Sequence, residues 1–236
     1  MSADRNLNTI RRMAMNFLSI FDVIGPNMVG PSSSHTAGAV AMGLMARKMC
    51  QAPIKSVTFT LYGSFAKTYR GHGTDKALLG GILGFPTDDL RIRDAFEWAK
   101  KMNVEYKYVA NEEDEVDHPN TADMDIVCVD GYQLSVRGES IGGGKIKITR
   151  INDIRVEFTG EYSTLIIKQI DKPGVIAHIS MCLSMFNVNI AFMRLFREDK
   201  GKIAYTVVES DEKIPDTILE IIKKNENVEK ILLIQV

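Results

Sequence analysis

Apolar side chains return every three or four positions after Thr36. Ala37, Val40, Ala41, Leu44 and Met45 fall on one face of a 3.6-residue period and predict an amphipathic helix. Residues 56–62 alternate instead, with Val57, Phe59 and Leu61 set against Thr58 and Thr60, which predicts a half-buried strand. Helical spacing resumes at Ala77, Leu78 and Ile82. It appears again after Pro86, where Leu90, Ala95, Phe96, Ala99 and Met102 form the expected stripe. A short strand is expected at 126–129, followed by a hairpin pairing 133–137 with 145–151. Gly63 to Asp75 and Ser140 to Gly144 are glycine-rich and predicted as loops.

From Tyr162 the elements become shorter and more regular. Strand 165–170, a turn at 171–174 and helix 175–186 are followed by strand 188–196, a turn at 199–201 and strand 203–209. A helix after Pro215, carrying Ile218, Leu219 and Ile222, and a strand over 229–236 complete the order. That succession is β-α-β-β-α-β, the ferredoxin-like arrangement. The expected fold class is α/β of the α+β kind: a mixed α/β domain over 1–155, then a ferredoxin-like domain over 156–236.

Composition narrows the function. A net charge of −1 gives no reason to expect nucleic acid or an anionic membrane as partner. No apolar run reaches the 18 residues of a membrane span. Residues 1–16 read as a polar, basic extension. The apolar patch at 13–24 follows Arg11 and Arg12 as in a secretory signal, but Asn16 and Asp22 interrupt it and no small-residue cleavage site follows. A cytoplasmic location is expected. Cys50, Cys128 and Cys182 are odd in number and never at CxxC spacing, so they predict buried reduced thiols rather than a disulfide framework, a zinc site or an iron–sulfur cluster.

Candidate chemistry concentrates in a few motifs. Ser32, Ser33, Ser34, His35 and Thr36 stand at the start of the first predicted helix. One hydroxyl suffices as N-cap. The rest, with the free amides and the helix dipole, suit an anion such as a carboxylate. Taken singly, such a stretch is as readily a capped turn with a surface histidine. A second histidine, His72, lies between Gly71 and Gly73 ahead of the helix that Thr74 or Asp75 would cap, so the arrangement repeats and points to one shared site. His118-Pro119-Asn120-Thr121 and the glycines Gly142, Gly143 and Gly144 add polar and close-approach positions.

Together, Gly30-Pro-Ser-Ser-Ser-His-Thr-Ala-Gly, Gly63-Ser-Phe-Ala-Lys-Thr, Gly71-His-Gly-Thr-Asp, His118-Pro-Asn-Thr and Ser140-Ile-Gly-Gly-Gly resemble the β chain of bacterial iron–sulfur-dependent L-serine dehydratases. The C-terminal segment, with its Asp171-Lys-Pro-Gly turn, resembles an ACT domain, an amino-acid-sensing module. Tyr69 and Arg70 stand where such enzymes often carry smaller residues. The resemblance implies conversion of L-serine to pyruvate and ammonia, with an α subunit whose cysteines hold a [4Fe–4S] cluster that this chain does not ligate. It also implies a β domain similar to the allosteric substrate-binding fold. On it, His35 is the expected base and His72 the alternative base or a group that steers the leaving hydroxyl. Ser32, Ser33, Ser34 and Thr36 would hold the substrate carboxylate, with Ser64, Lys67, Asn120 and Gly142 to Gly144 lining the same pocket. Gly174, Asn187 and Asn189 are the expected contacts of an amino acid bound to the ACT domain. Edge pairing of that domain would give a homodimer, and hetero-oligomers would form with the α subunit.

Two other classes remain open on the residues. The chain could be a non-catalytic amino-acid sensor in which His35 and His72 only contact an anion. A serine hydrolase built on Ser32 to Ser34 with His35 fits poorly, because sequence neighbours do not readily adopt nucleophile–base geometry and no Gly-x-Ser-x-Gly elbow is present.

Overall fold

A computed structural model describes residues 27–197 and 199–235. The predicted extension 1–16 and the apolar patch 13–24 lie outside the described residues. The helix expected after Thr36 opens with a π-helical turn, Ser33–Gly38, and continues as α1 (Ala39–Lys48). β1 (Ile54–Tyr62) follows, with Val57, Phe59 and Leu61 buried as their alternation requires.

The stretch expected as a glycine loop is a helix. α2 (Gly63–His72) ends at Gly73, which turns left-handed at φ 71°, and α3 (Thr74–Leu83) starts at once. Burial of Phe65 and Ala66 in the core outweighs the poor helix propensity of the glycines. Gly73 takes the N-cap position of α3; Asp75 in the first turn accepts from the Lys76 amide at 2.8 Å, whereas the Thr74 hydroxyl has no partner among the described residues. The next helix also differs from expectation. Asp89 caps a 3₁₀ turn, Leu90–Asp94, by accepting from the Arg91 amide at 2.8 Å, and α4 (Ala95–Lys101) follows. Ala95 and Ala99 are buried, whereas Leu90 and Met102 of the expected stripe face solvent.

One six-stranded sheet occupies this half, in the order β2-β1-β3-β4-β5-β6. β2 (Glu105–Asn111) pairs parallel to β1, from Ser56↔Glu105 to Tyr62↔Asn111. It is an unforeseen strand, because on this edge most of its side chains are exposed and its alternation, Tyr106 and Tyr108 against Glu105 and Lys107, spans only four residues. β3 (Thr121–Cys128), β4 (Gln133–Gly142), β5 (Lys145–Ile151) and β6 (Ile154–Phe158) add antiparallel. β3 starts earlier than the expected 126. β4 runs through Ser140 to Gly142, so the predicted loop shrinks to the turn at Gly143 and Gly144. β6 was likewise unforeseen.

The second sheet holds β7 (Ser163–Ile170), β8 (Phe192–Arg197), β9 (Ile203–Ser210) and β10 (Val228–Ile234), ordered β10-β7-β9-β8 and antiparallel throughout. With α5 (Val175–Met185) and α6 (Thr217–Ile222) on one face, this is the expected ferredoxin-like unit. β8 begins four residues later than predicted (192 against 188), after Asn187 has closed α5 at φ 53°. Leu165, Ile167 and Val208 pack under the helices. The opposite face, Ile166, Tyr205, Val207 and Ile234, joins the core of the first half.

What sets the geometry of the first half is the contact between α1 and α3. A methyl added at Gly43 would overlap the Leu78 carbonyl oxygen and stand 3.0 Å from the Gly81 Cα. One added at Gly81 would overlap the Val40 carbonyl oxygen and stand 2.9 Å from the Gly43 Cα. The two backbones touch, and only glycine fits at either position. Gly81→Ala should therefore lower the unfolding free energy by about 1–3 kcal/mol or more, the usual range for overpacking. Gly71→Ala, where a Cβ meets nothing within 4 Å in an exposed helical position, should be neutral or stabilise by up to about 1 kcal/mol. Urea denaturation of both variants checks the contrast.

Candidate functional site

The π-helical turn exists because Ser32 caps it. Ser32 Oγ accepts from the His35 amide at 3.2 Å, and the Ser32 carbonyl accepts from the Thr36 amide at 2.9 Å. Single π turns recur at functional sites, where they redirect one side chain. Here they turn the imidazole of His35 toward the start of α2. Its Nε2 lies 3.1 Å from Ser64 Oγ, and its Nδ1 lies 3.2 Å from Ser34 Oγ and 3.5 Å from Ser32 Oγ. The edge of Phe65 contacts the ring at 5.2 Å between centroids, and the His72 ring stands 4.8 Å away.

Backbone constraints hold this cluster. Gly63 sits at φ 54°, where a Cβ would come within 2.9 Å of Pro119 Cα, and the Ser64 amide donates to the Pro119 carbonyl at 2.7 Å. Ser140 Oγ donates to the Ser34 carbonyl at 2.9 Å, and a Cβ on Gly38 would overlap that hydroxyl. The Ser140 amide is bonded in turn to the Asn120 carbonyl at 2.9 Å. Four separated stretches of chain thus meet around His35. Ser140, Phe65 and Pro119 were not singled out as site residues from the sequence; their roles arise from sheet register and backbone carbonyls, which no side-chain pattern announces.

Of the expected residues, Ser32, Ser34, His35, Ser64 and His72 come together. Ser33 is half-buried in the same turn. Thr36 is 3% exposed and its hydroxyl has no partner among the described residues. It lines a cavity of ≈ 340 Å³ with His72, Asp75 and the cations Arg70, Lys76 and Arg93. Asn120 reaches the Ser140 carbonyl at 3.5 Å, and its Oδ1 is buried without a partner. Lys67 lies exposed on α2. Gly143 and Gly144 border a separate hollow with Met45, Lys48 and Gly160, and Gly142 forms the last residue of β4. His118 is engaged within its own loop, its Nδ1 accepting from the Asn120 amide at 3.2 Å. In the second unit Gly174 caps α5 at φ 89°. Asn187 occupies a left-handed position that asparagine tolerates at helix ends. The Asn189 amide donates to Glu212 Oε2 at 2.8 Å.

The electrostatics favour a neutral imidazole. Burial first, and then the neighbouring His72, holds His35 below its ordinary value. Asp75 beside the cavity is pushed up by burial. A serine hydroxyl at 3.1 Å from a histidine also has the spacing of a nucleophile and its base. However, Nδ1 faces hydroxyls rather than the carboxylate that orients such a base in a hydrolytic triad.

The sequence comparisons decide the family. Residues 19–138 match the model of the serine dehydratase beta chain, and residues 163–227 match the ACT domain. The chain belongs to the serine dehydratase beta chain family. It is 40% identical over 214 residues to a probable L-serine dehydratase beta chain of Bacillus subtilis (strain 168), covering 91% of this chain and 96% of that one. It is 41% identical over 204 residues to the L-serine dehydratase beta chain of Peptoniphilus asaccharolyticus, with 86% and 92% covered. A D-3-phosphoglycerate dehydrogenase of Methanocaldococcus jannaschii is similar over 105 residues at 29% identity, 44% of this chain and 20% of the relative. The His35 cluster lies within the matched dehydratase segment. No helix among the described residues is long and apolar enough to cross a membrane.

A group held below the ordinary imidazole value of about 6.5 protonates only when the pH falls further. The unfolded chain then binds its proton first, so this contribution to stability is complete above about 6.5 and is lost as pH falls toward the folded value. NMR titration of the His35 ring protons should give a midpoint below 6.5. His72→Gln should raise that midpoint by removing one of the two causes, without bringing it to the ordinary value, because burial is the larger cause.

Proposed function

We propose that this chain is the β subunit of a cytoplasmic L-serine ammonia-lyase that converts L-serine to pyruvate and ammonia together with an α subunit carrying a [4Fe–4S] cluster. The observation that carries this reading is the half-buried His35, held below its ordinary value by burial and by His72, with serine hydroxyls at both ring nitrogens and His72 4.8 Å away. A neutral imidazole is the form able to accept the Cα proton of serine. Rotation of the Ser64 hydroxyl off Nε2 would free that nitrogen for the proton. On this reading the hydroxyls of Ser32, Ser33, Ser34 and Thr36 would receive the substrate carboxylate. The buried Asn120 Oδ1 is an acceptor in need of a donor, as a substrate ammonium would be. Arg70, Lys76 and Arg93 give the adjoining cavity a cationic lining that would draw in a carboxylate.

The proton passes from Cα to His35, and the β-hydroxyl takes it back from that imidazolium as it departs as water, leaving a neutral His35 and aminoacrylate. This tautomerises to the imine, which takes up water and releases ammonia and pyruvate. His72 is the group next in line to steer the departing hydroxyl. Among the described residues, no group of three or more His, Cys, Asp or Glu side chains could hold a metal ion. Cys128 lies in the core of the first half and Cys182 in that of the second. These residues do not fit an iron–sulfur cluster, which this reading assigns to the α subunit, and no step above passes through it. We divide the chain into a serine dehydratase β domain (1–155) and an ACT domain (156–236). In this division the ACT domain pairs with a second copy through an open strand edge and holds an amino acid near Gly174, Asn187 and Asn189.

Pyruvate formation from L-serine should appear only when the chain is co-expressed anaerobically with an α subunit. His35→Ala should lower turnover by roughly 10²–10⁴-fold while subunit assembly persists. Near-normal turnover in that variant would move the base to His72. Amino-acid binding with no turnover in any assembly would leave the chain a sensor. Separately, Asn189→Ala should alter the dependence of rate on serine concentration without lowering the limiting rate, as steady-state kinetics would show.

A further inference from the structure

The face of the six-stranded sheet that points away from α1 and α3 carries an unusual row. In register across β3, β4, β5 and β6 stand Asp123, Arg137, Arg150 and Arg155. Like charges directly opposite on neighbouring strands destabilise a sheet, and this row contains two such juxtapositions. Asp123 offsets part of the charge. Its Oδ1 takes Arg137 Nε at 2.6 Å, and its Oδ2 takes Arg137 at 2.7 Å, Arg150 at 2.8 Å and the Tyr62 hydroxyl at 2.8 Å. With four contacts its acceptor capacity is used up. Arg155 has no carboxylate partner among the described residues.

Above this row lies a cavity of ≈ 300 Å³, at the lower end of small-molecule sites. Two buried polar atoms in residues that line it lack partners, Arg150 Nε and Thr149 Oγ1. The first can only donate and the second can donate, so each lacks an acceptor in residues that border the cavity. Four carboxylates border the same cavity. Glu139 is taken by Lys147 at 3.1 Å and Glu157 by Arg194 at 3.2 Å. Asp117 and Asp153 are exposed and bonded to no cation among the described residues. Unsatisfied donors and exposed carboxylates thus belong to residues that border one cavity.

We propose that this cavity binds an α-amino acid as its zwitterion, apart from the His35 cluster and from the ACT domain. The carboxylate would accept from Arg150 Nε, Thr149 Oγ1 and the Arg155 guanidinium, and the ammonium would face Asp117 and Asp153. A simple anion would satisfy the donors but meet the free acids, and a simple cation would meet the arginines.

The test is ¹⁵N–¹H NMR on the full chain titrated with L-serine, acetate and ethanolamine. L-serine should shift the Arg150 Nε–Hε resonance and the amides of residues 149–155 saturably, with acetate and ethanolamine far weaker. Arg155→Gln removes a group with no partner to lose. It should weaken this site about tenfold or more, the equivalent of one charge-assisted hydrogen bond. Thr149→Val should act in the same direction. Asp153→Asn should weaken binding of L-serine but not of acetate. If those resonances stay fixed while serine saturates its other sites, or if Arg155→Gln and Thr149→Val leave the shifts unchanged, the site does not exist. If acetate matches serine, the zwitterion is wrong. The readout needs neither turnover nor the α subunit, so its failure leaves the assignment of His35 untouched.

Discussion

The contact on which the first half of the molecule depends is between two backbones. α1 and α3 touch at Gly43 and Gly81, closer than any side chain would permit. Helix axes normally stand 8–10 Å apart because side chains interdigitate between them. Removing the side chains at one crossing lets the backbones meet and fixes where each helix begins. α1 begins just after His35, and α3 begins just after His72. The 4.8 Å between the two imidazoles is therefore a consequence of helix packing. Neither ring has to be placed by a loop of its own, so the pair can be rigid although His72 is exposed at a helix end.

Electrostatics follows from that placement. Burial of His35 against Phe65, and after it the neighbouring imidazole, holds His35 below its ordinary value. The flanking hydroxyls of Ser34 and Ser64 can each donate or accept, so they fit either tautomer. A carboxylate at Nδ1 would instead favour the imidazolium. Its absence suits a group whose task is to accept a proton from a weak carbon acid, where the neutral ring must be abundant beforehand.

Much of this was legible in the chain, and the misses have physical causes. The β-α-β-β-α-β order was readable because each of its elements buries one face, which imposes period 2 or 3.6 on the residues. A hydroxyl cap at this helix start and His35 beside it were readable because capping chemistry is local; that Ser32 is the capping hydroxyl comes from the structure. α2 was read as a loop because Gly63, Gly71 and Gly73 outweigh Phe65 and Ala66 in any local count, whereas burial of those two decides the fold. β2 has mostly exposed side chains and only a four-residue alternation, Glu105 to Tyr108. β6 is five residues long behind a register shift in its pairing with β5. In the site, Ser64 was named without its partner, and Ser140 was counted as loop. What brings them to His35 is the β3–β4 register and the Pro119 carbonyl, both long-range. Local chemistry identified the histidines; tertiary packing chose their neighbours.

The helix that continues from the π turn of His35 ends on the ACT domain. α1 has ten residues, about 15 Å at 1.5 Å per residue. At its far end Lys48 Nζ donates to the Gln235 carbonyl at 2.9 Å. Met49 lines a cleft with Ile166, Tyr205 and Leu232 of the second sheet. Midway, Met45 lies against Gly160, on the connection between β6 and β7, where a Cβ would overlap its terminal methyl. The ACT sheet thus packs one face on its own helices and the other on the body that carries the site. An isolated sensing module would leave that second face in water. Contact alone carries no coupling, since a ligand shifts an equilibrium only by its differential affinity for two states. What the packing does determine is the form such a difference must take. The α1–α3 crossing has no slack at Gly43 and Gly81, so a change at the Met49 cleft cannot be absorbed by sliding α1 past α3. It must be taken up by moving α1 and α3 together or by reorienting the ACT sheet on a fixed α1, and only the first of these reaches His35.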